Sequence, residues 1–197
     1  MSQILKQRYG TGDRTIIHHI DWLKTGMGAK TVKFDIGAGG LPPDVNWEDK
    51  SAAVALIKDK AAKSLASLLV WGDNDNWDKR RPSLIVTDYL AALMIDRCAD
   101  DEREIPRGSS YTMKEFAALV ARMTLHFELY NLWSVYTVEG RLLFSGIKMN
   151  DRTYSNFFST YQRQMLNDLS DLTDLVNEDI ARYKFELDKD DLTHDAL

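Results

Sequence analysis

The sequence predicts a mainly α fold, a helical bundle with a long C-terminal helix, plus a small β element near the N-terminus (α+β overall). Three observations carry this. Residues 15–20 and 31–36 are β-branched or alternate apolar with polar, the pattern of short strands. From Asn46 onward apolar residues recur at three- and four-residue steps, the period of a helix with one buried face. Between Tyr154 and Leu187, ten apolar residues follow one another at spacings of 4, 3, 4, 4, 3, 4, 4, 3 and 4 with no Gly or Pro between them. The expected organisation is a β-containing arm over 1–45, a helical body over 46–187 and an acidic tail over 188–197.

The 197 residues are 44% hydrophobic and 28% charged, which excludes disordered, collagen-like and low-complexity classes. No apolar run approaches the roughly 20 residues of a membrane span. The start, Met1-Ser2-Gln3-Ile4-Leu5-Lys6, has no apolar signal-like stretch, so a cytoplasmic location is expected, or a virion if the source is a phage. A lone cysteine, Cys98, excludes an intrachain disulfide and a cysteine-based zinc cluster. The net charge of −5 is unevenly spread. Residues 1–33 carry six basic against two acidic side chains, and residues 166–197 three basic against ten acidic. Such polarity suits a basic arm on nucleic acid, a solubilising acidic tail, or contact between the unlike ends of neighbouring copies, as well as two plainly solvated surfaces.

Element by element, residues 2–9 suit a short helix stopped by Gly10 and Gly12. The strands at 15–20 and 31–36 are separated by Gly26 and Gly28, as in a loose hairpin, and Gly37, Gly39, Gly40, Pro42 and Pro43 make a hinge. Asn46 can cap a helix whose first turn holds Glu48 and Asp49. Ala53, Ile57, Ala61, Leu65, Leu68 and Trp71 continue it to a stop at Gly72. Pro82 and Ser83 open the next helix, with Leu84, Ile85, Tyr89, Leu90, Leu93 and Met94 as its apolar residues. Thr112-Met113-Lys114-Glu115 is a capping box, in which the Thr and Glu side chains satisfy the unpaired amides of a helix start. The helix that follows carries Phe116, Val120, Met123, Phe127 and Tyr130 on one stripe and Leu119, Leu125, Leu129, Leu132 and Trp133 around it, as a central helix does. Residues 135–147 fit either a short hairpin turned at Glu139-Gly140 or a continued helix broken at Gly140.

The final stripe predicts a helix of thirty or more residues, roughly 45 Å at 1.5 Å per residue. That is long for a domain of this size, so Tyr161, Met165, Leu169, Leu172, Val176, Ile180 and Tyr183 are expected to pack on another chain as an oligomer interface. The competing reading is a helix lying across its own domain.

Chemical motifs are scarce. His18 and His19 are adjacent on a strand and face opposite ways, so they do not share a metal; a His19–Asp21 pair has no nucleophile to serve, and polar residues on a half-exposed strand account for both. Gly37-Ala38-Gly39-Gly40 lacks the spacing and the Lys-Ser/Thr of phosphate-binding loops. The acidic loop 73–78 alternates like a calcium-binding loop, but Asp78 stands where that loop needs Gly, and the closing Glu is missing. His126 reads as a core or interface histidine, and His194 as part of the tail. Lys79, Arg80 and Arg81, beside Trp77, are the candidate phosphate contacts, with the Asp-rich loop before them partly cancelling their field. No catalytic residue, metal site or cofactor site is predicted.

In general character (small, helical, aromatic-rich, without a catalytic motif, oppositely charged at its ends) the chain is similar to phage connector and small packaging subunits. The resemblance implies a non-enzymatic structural protein of virion assembly that forms an oligomer by helical packing, with other protein subunits as partners and no membrane. The alternatives are a nucleic-acid-binding module using the basic patch, and an enzyme whose site is assembled from residues not linked by spacing. The absence of a helix-turn-helix near the N-terminus weighs against a packaging-subunit role.

Overall fold

The computed structural model describes residues 22–23, 47–73, 80–105 and 110–194. These residues are mainly helical, and no strand occurs among them. The strands expected at 15–20 and 31–36, the helix at 2–9, the hinge at 37–43 and His18, His19 and Asp21 all lie outside the described residues, as do Lys79 and the loop 74–78. Seven helices are seen among the described residues: α1 Trp47–Leu56, α2 Lys60–Trp71, α3 Pro82–Asp100, α4 Met113–Leu129, α5 Val138–Phe144, α6 Asp151–Phe157 and α7 Ser159–His194. None is long and apolar enough to cross a membrane. The described residues divide into two compact units: one is built on Ser83–Leu172, the other on those from Trp22 to Pro82 together with the chain from Thr173.

In the second of these units, the helix expected over 46–71 is two helices. The apolar stripe does continue through Ala53, Ile57, Ala61 and Leu65, all buried. The break lies at 57–59 because the Asp59 side chain accepts a hydrogen bond from the Ala62 amide (2.7 Å), which caps a fresh helix and stops the earlier one from running through. Lys63 Nζ donates to the Ala55 carbonyl at 2.6 Å, satisfying an end group of α1. Gly72 ends α2 as expected, at φ 78° and ψ −166°, a region essentially confined to glycine. From α7 this unit takes Val176 and Ile180, both fully buried, and Tyr183, whose hydroxyl donates to Asp49 Oδ1 at 3.4 Å. The Trp22 ring has Lys50 Nζ 5.4 Å and Lys184 Nζ 5.2 Å from its centre.

In the unit Ser83–Leu172, α3 buries Val86, Leu90, Met94 and Cys98 at four-residue intervals. Of the apolar residues read from the sequence, Leu90 and Met94 are thus buried, Leu84 and Tyr89 are exposed, and Ile85 and Leu93 are half-buried. Helix α4 begins at the expected capping box, with the Thr112 amide donating to Glu115 Oε2 (2.8 Å) and the Glu115 amide to Thr112 Oγ1 (3.3 Å). Phe116, Val120, Met123 and Phe127 are buried, whereas Leu132 and Trp133 lie beyond the helix and are half-buried. Residues 135–147 are neither a hairpin nor a helix broken at Gly140: Thr137 caps α5, accepting from the Gly140 amide at 3.2 Å, and Gly140 lies inside the helix.

The long C-terminal stripe is also interrupted. Asn150 caps α6, and the chain leaves helical geometry at Phe158 before α7 starts. Ser159 Oγ donates back to the Ser155 carbonyl at 2.6 Å, a side-chain bond that bends helices, and Phe158 turns fully inward to meet the Phe116 ring at a centroid distance of 4.6 Å. At its far end α7 runs on to His194, through most of the expected tail.

Candidate functional site

The residues with the least structural explanation for their positions lie just after α4. Helix α4 ends at Tyr130, and Asn131 takes a left-handed conformation (φ 54°) that swings the chain away. The Trp133 indole N–H donates to Glu128 Oε2 at 2.9 Å and anchors the connection. Around this corner six rings pack together. Phe127, fully buried, meets Trp133 at 5.4 Å, Tyr136 at 5.5 Å and Phe144 at 5.6 Å between centroids. His126 meets Tyr130 at 4.7 Å and Phe144 at 5.4 Å.

The outer side of this cluster faces solvent. Tyr130 is 66% exposed, Val135 67%, Leu143 80% and Phe144 54%. Residues 130–147 hold just two charged side chains, Glu139 and Arg141, in a chain that is 28% charged. Burial among the rings holds the His126 imidazole below its ordinary pKa of 6.5. A sparsely charged, partly aromatic, solvent-facing surface has the composition of the centre of a protein interface.

The expected interface residues are placed differently. Tyr161, Met165, Leu169, Leu172, Val176 and Ile180 are buried within the chain itself, and Tyr183 is half-buried. That stripe therefore presents no surplus apolar surface to a second copy. Arg80 and Arg81 are exposed at the approach to α3, and Lys79 lies outside the described residues. No group of three or more His, Cys, Asp or Glu suited to a metal ion occurs among the described residues. The 130–147 patch was missed by periodicity. Its signal was compositional: a stretch with four aromatic residues, Leu142, Leu143 and almost no charge.

Comparison with family models, with curated proteins and with solved structures finds no significant match to this chain.

Proposed function

We propose that this protein is a non-enzymatic assembly protein that self-associates, and that copies meet through the surface formed by Tyr130, Val135, Leu143 and Phe144. The observation that carries the reading is the exposure of these four side chains, of which Tyr130 and Phe144 also pack in the aromatic cluster. Two copies that each carry a net charge of −5 repel one another over most approaches. A nearly uncharged face is where that repulsion is least, which favours a second copy of this chain as the occupant. A ring or larger particle, of the kind the connector resemblance implies, would need a further contact beyond this one.

The test is mass in solution at tens of micromolar. The wild type is expected above the 22.5 kDa of one chain, and the double variant Leu143→Asp, Phe144→Asp at one chain with its helix content unchanged. A wild type that sediments as a single chain at these concentrations removes the reading.

A further inference from the structure

Within Ser83–Leu172, side chains of α4 to α7 border a cavity of about 210 Å³. Two chemistries line it. One is apolar: Met123, Trp133, Val138, Leu142 and Leu166. The other consists of hydrogen-bond donors: Arg141, Arg163, Gln162 and Ser155.

The donors are underused. Arg141 is half-buried, with its guanidinium 5.3 Å from the centre of the Trp133 ring and its Nε donating to the Thr137 carbonyl at 3.4 Å. Arg163 donates to Thr160 Oγ1 at 3.3 Å. Neither guanidinium has a carboxylate partner among the described residues. Gln162 is buried, and its Oε1 accepts from the Tyr154 hydroxyl at 2.8 Å. Burial pushes the Tyr154 phenol well above its ordinary pKa, so that hydroxyl stays a donor. The Gln162 oxygen is thereby engaged, and its amide nitrogen is the end left to donate. No acidic side chain lines the cavity.

We propose that this cavity binds a small organic carboxylate, an apolar body of about one ring carrying a single carboxylate group. A carboxylate matches the planar fork of one guanidinium through two parallel hydrogen bonds. Arg141, stacked and half-buried, supplies that fork, and the Gln162 amide adds a neutral donor. Arg163 is exposed and adds attraction across a more watery path, where a charge counts for less. The apolar wall accepts the body of the ligand. A cavity of this size corresponds to roughly seven waters of liquid volume, enough for a single ring and little more. So few atoms allow a dissociation constant of roughly 0.1–10 mM. The site lies within one chain, and its test does not depend on self-association.

NMR titration of the full chain with benzoate, phenyl phosphate and benzyl alcohol tests this. Benzoate is expected to shift signals of the cavity residues, and benzyl alcohol, which keeps the ring and removes the charge, to bind about tenfold more weakly. Arg141→Gln is expected to weaken benzoate by about tenfold. Arg163→Gln, at an exposed position that leaves folding intact, is expected to weaken it by about twofold, which keeps the test decisive should Arg141→Gln fail to fold. Absence of benzoate binding, equal affinity for benzyl alcohol, tighter binding of phenyl phosphate, or insensitivity to Arg163→Gln each overturns the assignment.

Discussion

Arg97 and Asp168 form a two-pronged ion pair, with Nη1 2.6 Å from Oδ2 and Nη2 2.7 Å from Oδ1, that ties α3 to α7 across 71 residues of sequence. The Asp168 side chain is 11% exposed and that of Arg97 31%. This hydrogen bond to Asp168 raises the Arg97 pKa further above an already high value. Because the pair is part-exposed, solvent screens some of its attraction, and Asp168→Ala is expected to cost about 1–3 kcal/mol. Urea denaturation of the two single variants and of the double variant with Arg97→Met measures it. A coupling below about 0.3 kcal/mol would show that the pair is geometric only.

Phe127→Ala should be the most damaging single truncation in the unit Ser83–Leu172. The ring is fully buried and touches three other aromatic rings. The expected loss is about 3–5 kcal/mol, because neighbouring rings on the α4–α5 connection and on α5 do not collapse into the space together. A loss below about 1 kcal/mol in chemical denaturation would contradict the packing described.

Two substitutions test the boundaries of α2. Asp59→Ala removes the acceptor of the Ala62 amide and is expected to cost about 1 kcal/mol. Gly72→Ala meets no atom within 4 Å, so its cost is backbone strain alone, about 1–3 kcal/mol at this φ and ψ. Thermal unfolding of the variants reads both, and a neutral Gly72→Ala would mean that α2 ends in another conformation.

Stability should also depend on His126. Its imidazole binds a proton less readily in the folded chain than in the unfolded one. Its contribution is therefore fully present above the unfolded pKa of about 6.5 and declines as pH falls through that value toward the lower folded pKa. The urea midpoint should fall between about pH 7.5 and pH 5, and less so in His126→Gln. Equal slopes in the two proteins would remove the imidazole as a cause. Under the proposed function, protonation also places a charge beneath the exposed rings, so self-association should weaken over the same interval.

What the sequence revealed depended on how local the determinants were. The capping box at Thr112 and Glu115, the stop at Gly72 and the start at Pro82 involve neighbours in the chain, and each is found where it was read. The breaks at Asp59 and Phe158 escaped because apolar periodicity runs straight through them: Ile57 and Ala61, like Tyr154 and Phe158, keep the four-residue step although they bracket or mark a break. In α3, apolar residues occupy nearly every side, so only packing decides that Val86 and Cys98 turn inward while Leu84 and Tyr89 do not. The stripe from Tyr161 to Tyr183 was expected to pack on another chain, yet Tyr161 to Ile180 are covered within this one, because apolar spacing does not say whose surface covers a face. The aromatic corner at 130–147 has no period at all, and the cavity depends on residues from Met123 to Leu166 meeting in space.

Cys98 gives this chain a built-in clock. It is the sole thiol in the sequence and is 1% exposed, on the inner face of α3 two helical turns beyond Leu90. Burial also raises its pKa, which suppresses the reactive thiolate. A thiol reagent therefore reaches the sulfur chiefly when its surroundings open, and the rate of modification counts those openings directly. With Arg97 next to it in α3 and Tyr161 bound to Asp101 a turn away at 2.6 Å, the same reaction reports how each contact slows the opening, without any added probe.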